Sequence, residues 1–311
     1  MSSNKKINSA NLILPGSQTR LYRGDRLYYI ITYSILIFLA LLVSYPLIYI
    51  VSSSFSSPAA VAAGKVVFFP VDLSLRGYSA VMEYDPVYIG YRNTILYTVT
   101  GTILNITMTM FAAFGLSRGT VPGVKIFTFL FTFTMMFSGG LIPTYLLMKD
   151  LRFLNTPWVM IVPGAISVYN MIIARTFIKG NIPEELFEAA SIDGCSDFVF
   201  FFRILLPLSK AILAVLALFY AVAHWNAYFN AMIYLRSRNL FPLQLFLREI
   251  LVLNQIDVNM IMDPELQEAL RGMADLLKYS LIIVSTAPIM CVYPFIQKYF
   301  VKGVMIGSIK G

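Results

Sequence analysis

Six mainly apolar runs, charged only near their ends, divide the chain, at Leu27–Ser53, Thr94–Leu116, Val124–Met148, Trp158–Ile178, Ala211–Ile233 and Tyr279–Phe300. A helix of about 20 such residues spans the hydrocarbon of a bilayer, so the pattern predicts an all-α integral membrane protein with six transmembrane helices. Small residues, "SPAAVAAG", follow the first run as they would a signal cleavage site. That run is longer than the ~7–15 residues of a signal core, however, and is expected to remain as a span.

Between the runs the pattern changes. Two long polar stretches, Phe55–Asn93 and Tyr234–Lys278, lie on one side, and the second contains an amphipathic segment, Phe241–Leu253. Loops of that length usually carry structure or function of their own; packing as a lid over the helix ends is the alternative. Between the fourth and fifth runs sits "PEELFEAASIDGCSDFVFFFRILLP", with Glu184, Glu185, Glu188, Asp193 and Asp197 close together. Pro183 suits a first helical position, Glu184 and Glu185 suit a first turn, and Gly194 suits a left-handed stop. A second helical piece, Ser196–Leu205, is expected to be capped by Ser196 or Asp197, to end at Pro207, and to present Phe198, Phe201, Phe202 and Leu205 on one face.

Composition agrees with the pattern: 58% of residues are hydrophobic and 13% charged, far from the soluble average of about a quarter charged. The net charge of +8 is spread over the ends of apolar runs and does not form a nucleic-acid patch. With six spans both termini share a side, which holds 14 of the 24 basic residues. Five of the other ten (Arg236, Arg238, Arg248, Arg271 and Lys278) lie in or beside one long loop, where charge counts for less, so both termini and the acidic segment are expected to be cytoplasmic. The expected domains are a cytoplasmic N-terminal segment 1–26, a six-helix transmembrane domain 27–300 that includes the acidic helical pair at 183–206, and a cytoplasmic tail 301–311.

The chemistry is marked by what the sequence lacks. No Asp, Glu, Lys or Arg lies near the middle of a run, which argues against ion coupling. There is no G-x-x-x-x-G-K-[ST] phosphate loop. One histidine excludes a two-histidine metal centre, and Cys195 and Cys291 have neither disulfide nor metal-ligand spacing. No catalytic, cofactor or metal site is expected, and uphill transport would need energy from another chain. The acidic segment could lie among lipid headgroups, but such helices favour Lys and Arg on the polar face; an anionic face suits a protein partner better.

In the fifth run Tyr220, His224 and Tyr228 share one helical face, Asn226 and Asn230 share another, and Trp225 lies between. Aromatic faces and amides suit sugar rings along a translocation path; hydrogen bonding to neighbouring helices is the alternative. Phe137, Gly139, Gly140 and Pro143 form a candidate gate in the third run, with plain packing as the alternative.

The stretch from Glu188 to Pro207 resembles the EAA loop, E-A-A-x3-G-x9-I-x-L-P, of permease subunits of ATP-binding-cassette importers. "YRNTILYT", "LRFLNTPW" and the tail "FIQKYFVKGVMIGSIKG" are similar to the carbohydrate-uptake branch, including the smaller permease of the maltose importer. "FSGGLIPTYLL" and "FYAVAHWNAYFNAMIYLRSRNLFPLQL" look closer still to permeases for complex oligosaccharides. The resemblance implies the type I importer permease fold in a bacterial cell membrane. It implies partners: a second, related permease, two ATPase subunits carrying the ATP and magnesium, an extracellular solute-binding protein and an oligosaccharide cargo. It also implies that Glu188, Ala189, Ala190 and Gly194, with Glu184 and Asp193 beside them, couple to the ATPase, and that Lys302, Gly303 and Lys310 of the tail reach toward it. A stand-alone ion-coupled or passive carrier is the competing expectation.

Overall fold

A computed structural model describes residues 23–119, 121–258, 274–292 and 294. The chain divides after Tyr49 into two compact units, Met1–Tyr49 and Ile50–Gly311. The first unit, among its described residues, consists of most of α1 (Arg23–Ser54), which is apolar all round. That is the composition of a helix with no polar face to keep in water.

The regular secondary structure of the second unit is helical among its described residues. After α2 (Pro58–Ala62) and α3 (Arg76–Glu83) comes α4, Asp85–Ser117, a 33-residue helix. At ~1.5 Å per residue it is about 50 Å long. The sequence reading starts this span at Thr94; the helix begins nine residues earlier because Asp85 and Pro86 provide a first-turn acid and a proline where no N–H is needed. All three apolar clusters use α4: Val87 packs with Val81, Leu243 and Leu281; Tyr97 with Met160, Ala231 and Leu245; and Met110 and Ala113 with Met171, Leu205 and Leu216.

Among the described residues three helices are long and apolar enough to cross a membrane, Arg26–Ser54, Asp85–Ser117 and Ala274–Val292, and the number is up to five if each of two bent pairs is one span. The expected third span is the first bent pair, α5 (Val124–Met136) and α6 (Leu141–Asp150), meeting at 113°. Gly140 permits the bend with φ +84°. The expected fourth span is cut into α7 (Trp158–Ile161) and α8 (Val168–Asn181) by the non-helical stretch 162–167 containing Pro163 and Gly164.

The acidic segment forms α9 (Glu184–Ile192), α10 (Asp197–Phe200), a π turn at Phe201–Leu205 and α11 (Leu206–Leu208). Next come α12 (Lys210–Trp225), bent 84° from the preceding pieces, and α13 (Phe229–Tyr234). The fifth run, expected to continue to Ile233, therefore stops as a helix at Trp225. The long stretch after it folds into a 3₁₀ turn, Arg238–Leu240, and α14 (Leu243–Val258), followed by α15 (Ala274–Val292).

Two expectations for the acidic segment change. Pro207 does not end the second helical piece: the wider π turn, closed by Leu206 N–H on the Phe201 carbonyl, carries the chain through the proline to Leu208. The same turn shifts the periodicity. Phe200, Phe201 and Leu205 are buried, whereas Phe198 and Phe202 are exposed.

Candidate functional site

Local signals shape the α9–α10 pair. Pro183 is the N-cap, one position before the first helical residue, with Glu184 and Glu185 following in the first turn. At the other end Cys195 N–H donates to the Ala190 carbonyl and Gly194 N–H to the Ser191 carbonyl, the paired bonds of a Schellman stop. Gly194 has φ +78°, and an added Cβ there meets nothing within 4 Å, so the glycine serves conformation and not close packing. Ser196 caps α10 by accepting from Val199 N–H.

The residues expected to couple to a partner divide between two faces. Glu184, Glu188, Ala189, Asp193 and Gly194 are exposed, whereas Ala190 is buried in the cluster that includes Met110, Ile178 and Phe200. Its small side chain lets α9 approach its own bundle.

One residue at this end carries more than topology. Arg118, the C-cap of α4, places Nη1 2.8 Å from Asp197 Oδ1, and its guanidinium carbon lies 3.2 Å from the Phe187 ring centroid and 5.4 Å from that of Phe114. Arg175 Nε donates to the Leu116 carbonyl (2.8 Å), so the last turn of α4 is braced to α8. In sequence these arginines are only basic residues at the ends of apolar runs.

Higher along α4 the polar residues of α12 are engaged within the chain. The Tyr220 hydroxyl lies 2.6 Å from Thr109 Oγ1 and accepts from Ser167 N–H. Asn105 donates through Nδ2 to the Gly164 carbonyl, which turns Oδ1 toward His224 Nε2 at 2.7 Å. The amide accepts at that oxygen, so His224 carries a proton on Nε2. A Cβ at Gly101 would collide with the His224 ring. Trp225 Nε1 donates to the Ser285 carbonyl. Two of these bonds, to Ser167 N–H and to the Gly164 carbonyl, pair backbone groups freed by the 162–167 break.

Asn226 and Asn230 are placed differently. Both are exposed, as is Tyr228, and Asn226 donates only to Val222 of its own helix turn. The face expected to join Tyr220, His224 and Tyr228 ends where the helix does, at Trp225. Phe137, Gly139, Gly140 and Pro143 lie at the exposed α5–α6 bend. Lys302, Gly303 and Lys310 fall outside the described residues. Among the described residues no three His, Cys, Asp or Glu converge in a metal-binding arrangement.

The opposite end of α4 holds the long stretch after α13. Asn93 donates to the Asn239 and Phe241 carbonyls, Thr94 accepts from Leu243 N–H, and Tyr97 donates to the Leu240 carbonyl. Asn155 accepts from the N–H groups of Arg236 and Ser237.

Comparison with known proteins agrees with this architecture. Along 266 residues, 86% of this chain and 89% of the relative, the sequence is 40% identical to protein LplC of Bacillus subtilis. It is 38% identical to the polygalacturonan/rhamnogalacturonan transport system permease protein YtcP of the same organism, over 92% of this chain and 99% of that protein. A chain in the crystal structure of a bacterial ABC transporter involved in the import of the acidic polysaccharide alginate matches with a TM-score of 0.81 and 34% identity, covering 90% of this chain and 98% of that one. Residues 85–306, from the start of α4 onward, match the model of the binding-protein-dependent transport system inner membrane component, and the chain belongs to that family of ABC importer permeases.

Proposed function

We propose that this chain is one of two paired permease subunits of an ATP-driven oligosaccharide importer, and that its cargo is an acidic, uronate-containing oligosaccharide. The polygalacturonan/rhamnogalacturonan and alginate systems among its relatives support the cargo class. The chain crosses the membrane six times, with the broken segment from α7 to α8 as the fourth crossing and both termini in the cytoplasm. It performs no covalent chemistry and binds no ATP. Two ATPase subunits supply the nucleotide and its magnesium, and an extracellular binding protein delivers the cargo.

The observation that carries this reading is the α9–α10 pair. Exposed Glu184, Glu188 and Asp193 have no basic partner within the chain among the described residues, while Ala189 leaves room for close approach. An ATPase cleft seats this helix, and its closure shifts the bundle between inward- and outward-facing populations. Asn226, Tyr228 and Asn230 line the path, with Tyr220, His224 and Trp225 holding the helices that present them. The tail residues Lys302, Gly303 and Lys310 add a second ATPase contact.

The test is co-purification and uptake. Glu188→Lys or Gly194→Trp should each weaken recovery of the ATPase with the permease about tenfold or more, the scale of losing ~1.4 kcal/mol at an interface, and abolish uptake. Wild-type uptake that persists without the ATPase would instead favour the stand-alone carrier.

A further inference from the structure

We infer that Arg118 is the joint through which motion of the coupling helices reaches α4, a positioning role that rests on the proposed docking of α9 and α10 on an ATPase. Its side chain, only 17% exposed, joins three elements at once. In-plane it meets Asp197 of α10, and face-on it lies over Phe187 of α9, while its backbone caps α4. A guanidinium does both because it is flat and carries donors around its edge; a lysine ammonium holds the carboxylate without stacking in the same way.

Several observations make this contact mechanical. The pair packs into the bundle through Ala190, Phe200, Phe201 and Leu205, and a cleft opens at one edge of that contact, lined by Phe114, Arg118, Lys179, Pro183, Phe187 and Phe200. Arg118 crosses the contact at this cleft, from the end of α4 to α9 and α10. On the α10 side aromatic packing is already close, with Phe111 stacked on Phe201 at 4.4 Å and Phe187 meeting Phe200 edge-on at 5.0 Å. The arginine therefore adds to α9 and α10 a shared polar anchor on the end of α4, which Arg175 braces from the other side.

From that anchor α4 is an unbroken helix. It carries Thr109 to Tyr220, Asn105 to His224 and the Gly164 carbonyl, and Asn93, Thr94 and Tyr97 to the stretch after α13. A displacement of α9 is thus delivered along α4 to α12 and to the 162–167 break. Asp197 remains 67% exposed, and an ion pair that open to water contributes little stability. What it supplies is orientation.

The test uses the complete importer in proteoliposomes, with ATP hydrolysis and cargo accumulation measured together. Arg118→Ala should keep ATPase recovery and hydrolysis near wild type while cargo moved per ATP falls about tenfold, within the ~5–150-fold span of typical coupling free energies. Arg118→Lys should recover part of the loss, and Phe187→Leu should resemble Arg118→Lys. A wild-type ratio in Arg118→Ala overturns the inference, and so does equal loss of hydrolysis and transport, which would make the residue structural. If Arg118→Ala does not accumulate in the membrane, the lysine and Phe187 variants decide by the same ratio. Failure of the underlying reading looks different: the wild-type importer itself would move cargo without ATP, removing the inference as well.

Discussion

The α9–α10 pair and α12 are both helical segments with polar residues in an apolar chain, yet they use them in opposite ways. In the pair, Glu184, Glu188 and Asp193 are exposed and face outward. In α12, Tyr220, His224 and Trp225 face inward and are bonded to α4, to Ser167 in the α7–α8 break, and to α15. The contrast teaches how to read polar residues in such a protein. Those satisfied internally hold the helices to one another, and those left exposed are the ones available to a cargo or a partner.

Variants can break or sharpen this contrast, and stability in detergent is the first measurement. Asn105→Leu should have the largest effect. It orphans the Gly164 carbonyl and His224 Nε2–H together, at ~1–3 kcal/mol for each buried group left unpaired, and should lower the thermal midpoint and uptake alike. Tyr220→Phe removes one shared hydroxyl, so Ser167 N–H and Thr109 lose a partner; about 1 kcal/mol is expected, in line with interhelical bonds measured in membranes. If Tyr220→Phe left stability untouched but changed cargo-stimulated ATP hydrolysis, Tyr220 would belong with the path residues.

On the other side of the comparison, Gly194→Ala should cost about 1 kcal/mol of local stability, because the left-handed backbone and not space is what the glycine satisfies. Its signature is reduced ATPase recovery with an unchanged thermal midpoint of the bundle. Asn226→Ala should be the mildest, within about 0.5 kcal/mol of wild-type stability for an exposed residue. It should nevertheless lower cargo-stimulated ATP hydrolysis, and unchanged kinetics would remove Asn226 from the path.

Much of the candidate site was legible because its signals are local. The proline before the first turn, the two glutamates, Gly194 and Ser196 each act within four residues, so the helix pair could be read without knowing its neighbours. The face of the second piece was misread because a π turn changes the period, and its cause, the fit of Pro207 against the preceding turn, is partly a matter of packing. The break in the expected fourth span had a visible signal in Pro163 and Gly164, but an apolar run of sufficient length outweighed it.

The chain by itself determined its class. Long apolar runs charged only near their ends must leave water. Only the tertiary structure decided which polar residues are spent inside. The hydrogen-bond partners of Tyr220, His224 and Arg118 lie 53 to 119 residues away in sequence. Sequence spacing describes neighbours along one helix, whereas these contacts depend on where α4 runs between the helices it meets. Arg118 shows the difference: a basic residue at the end of an apolar run marks a membrane boundary, and a ring, a carboxylate and a helix end brought together by folding make it a joint.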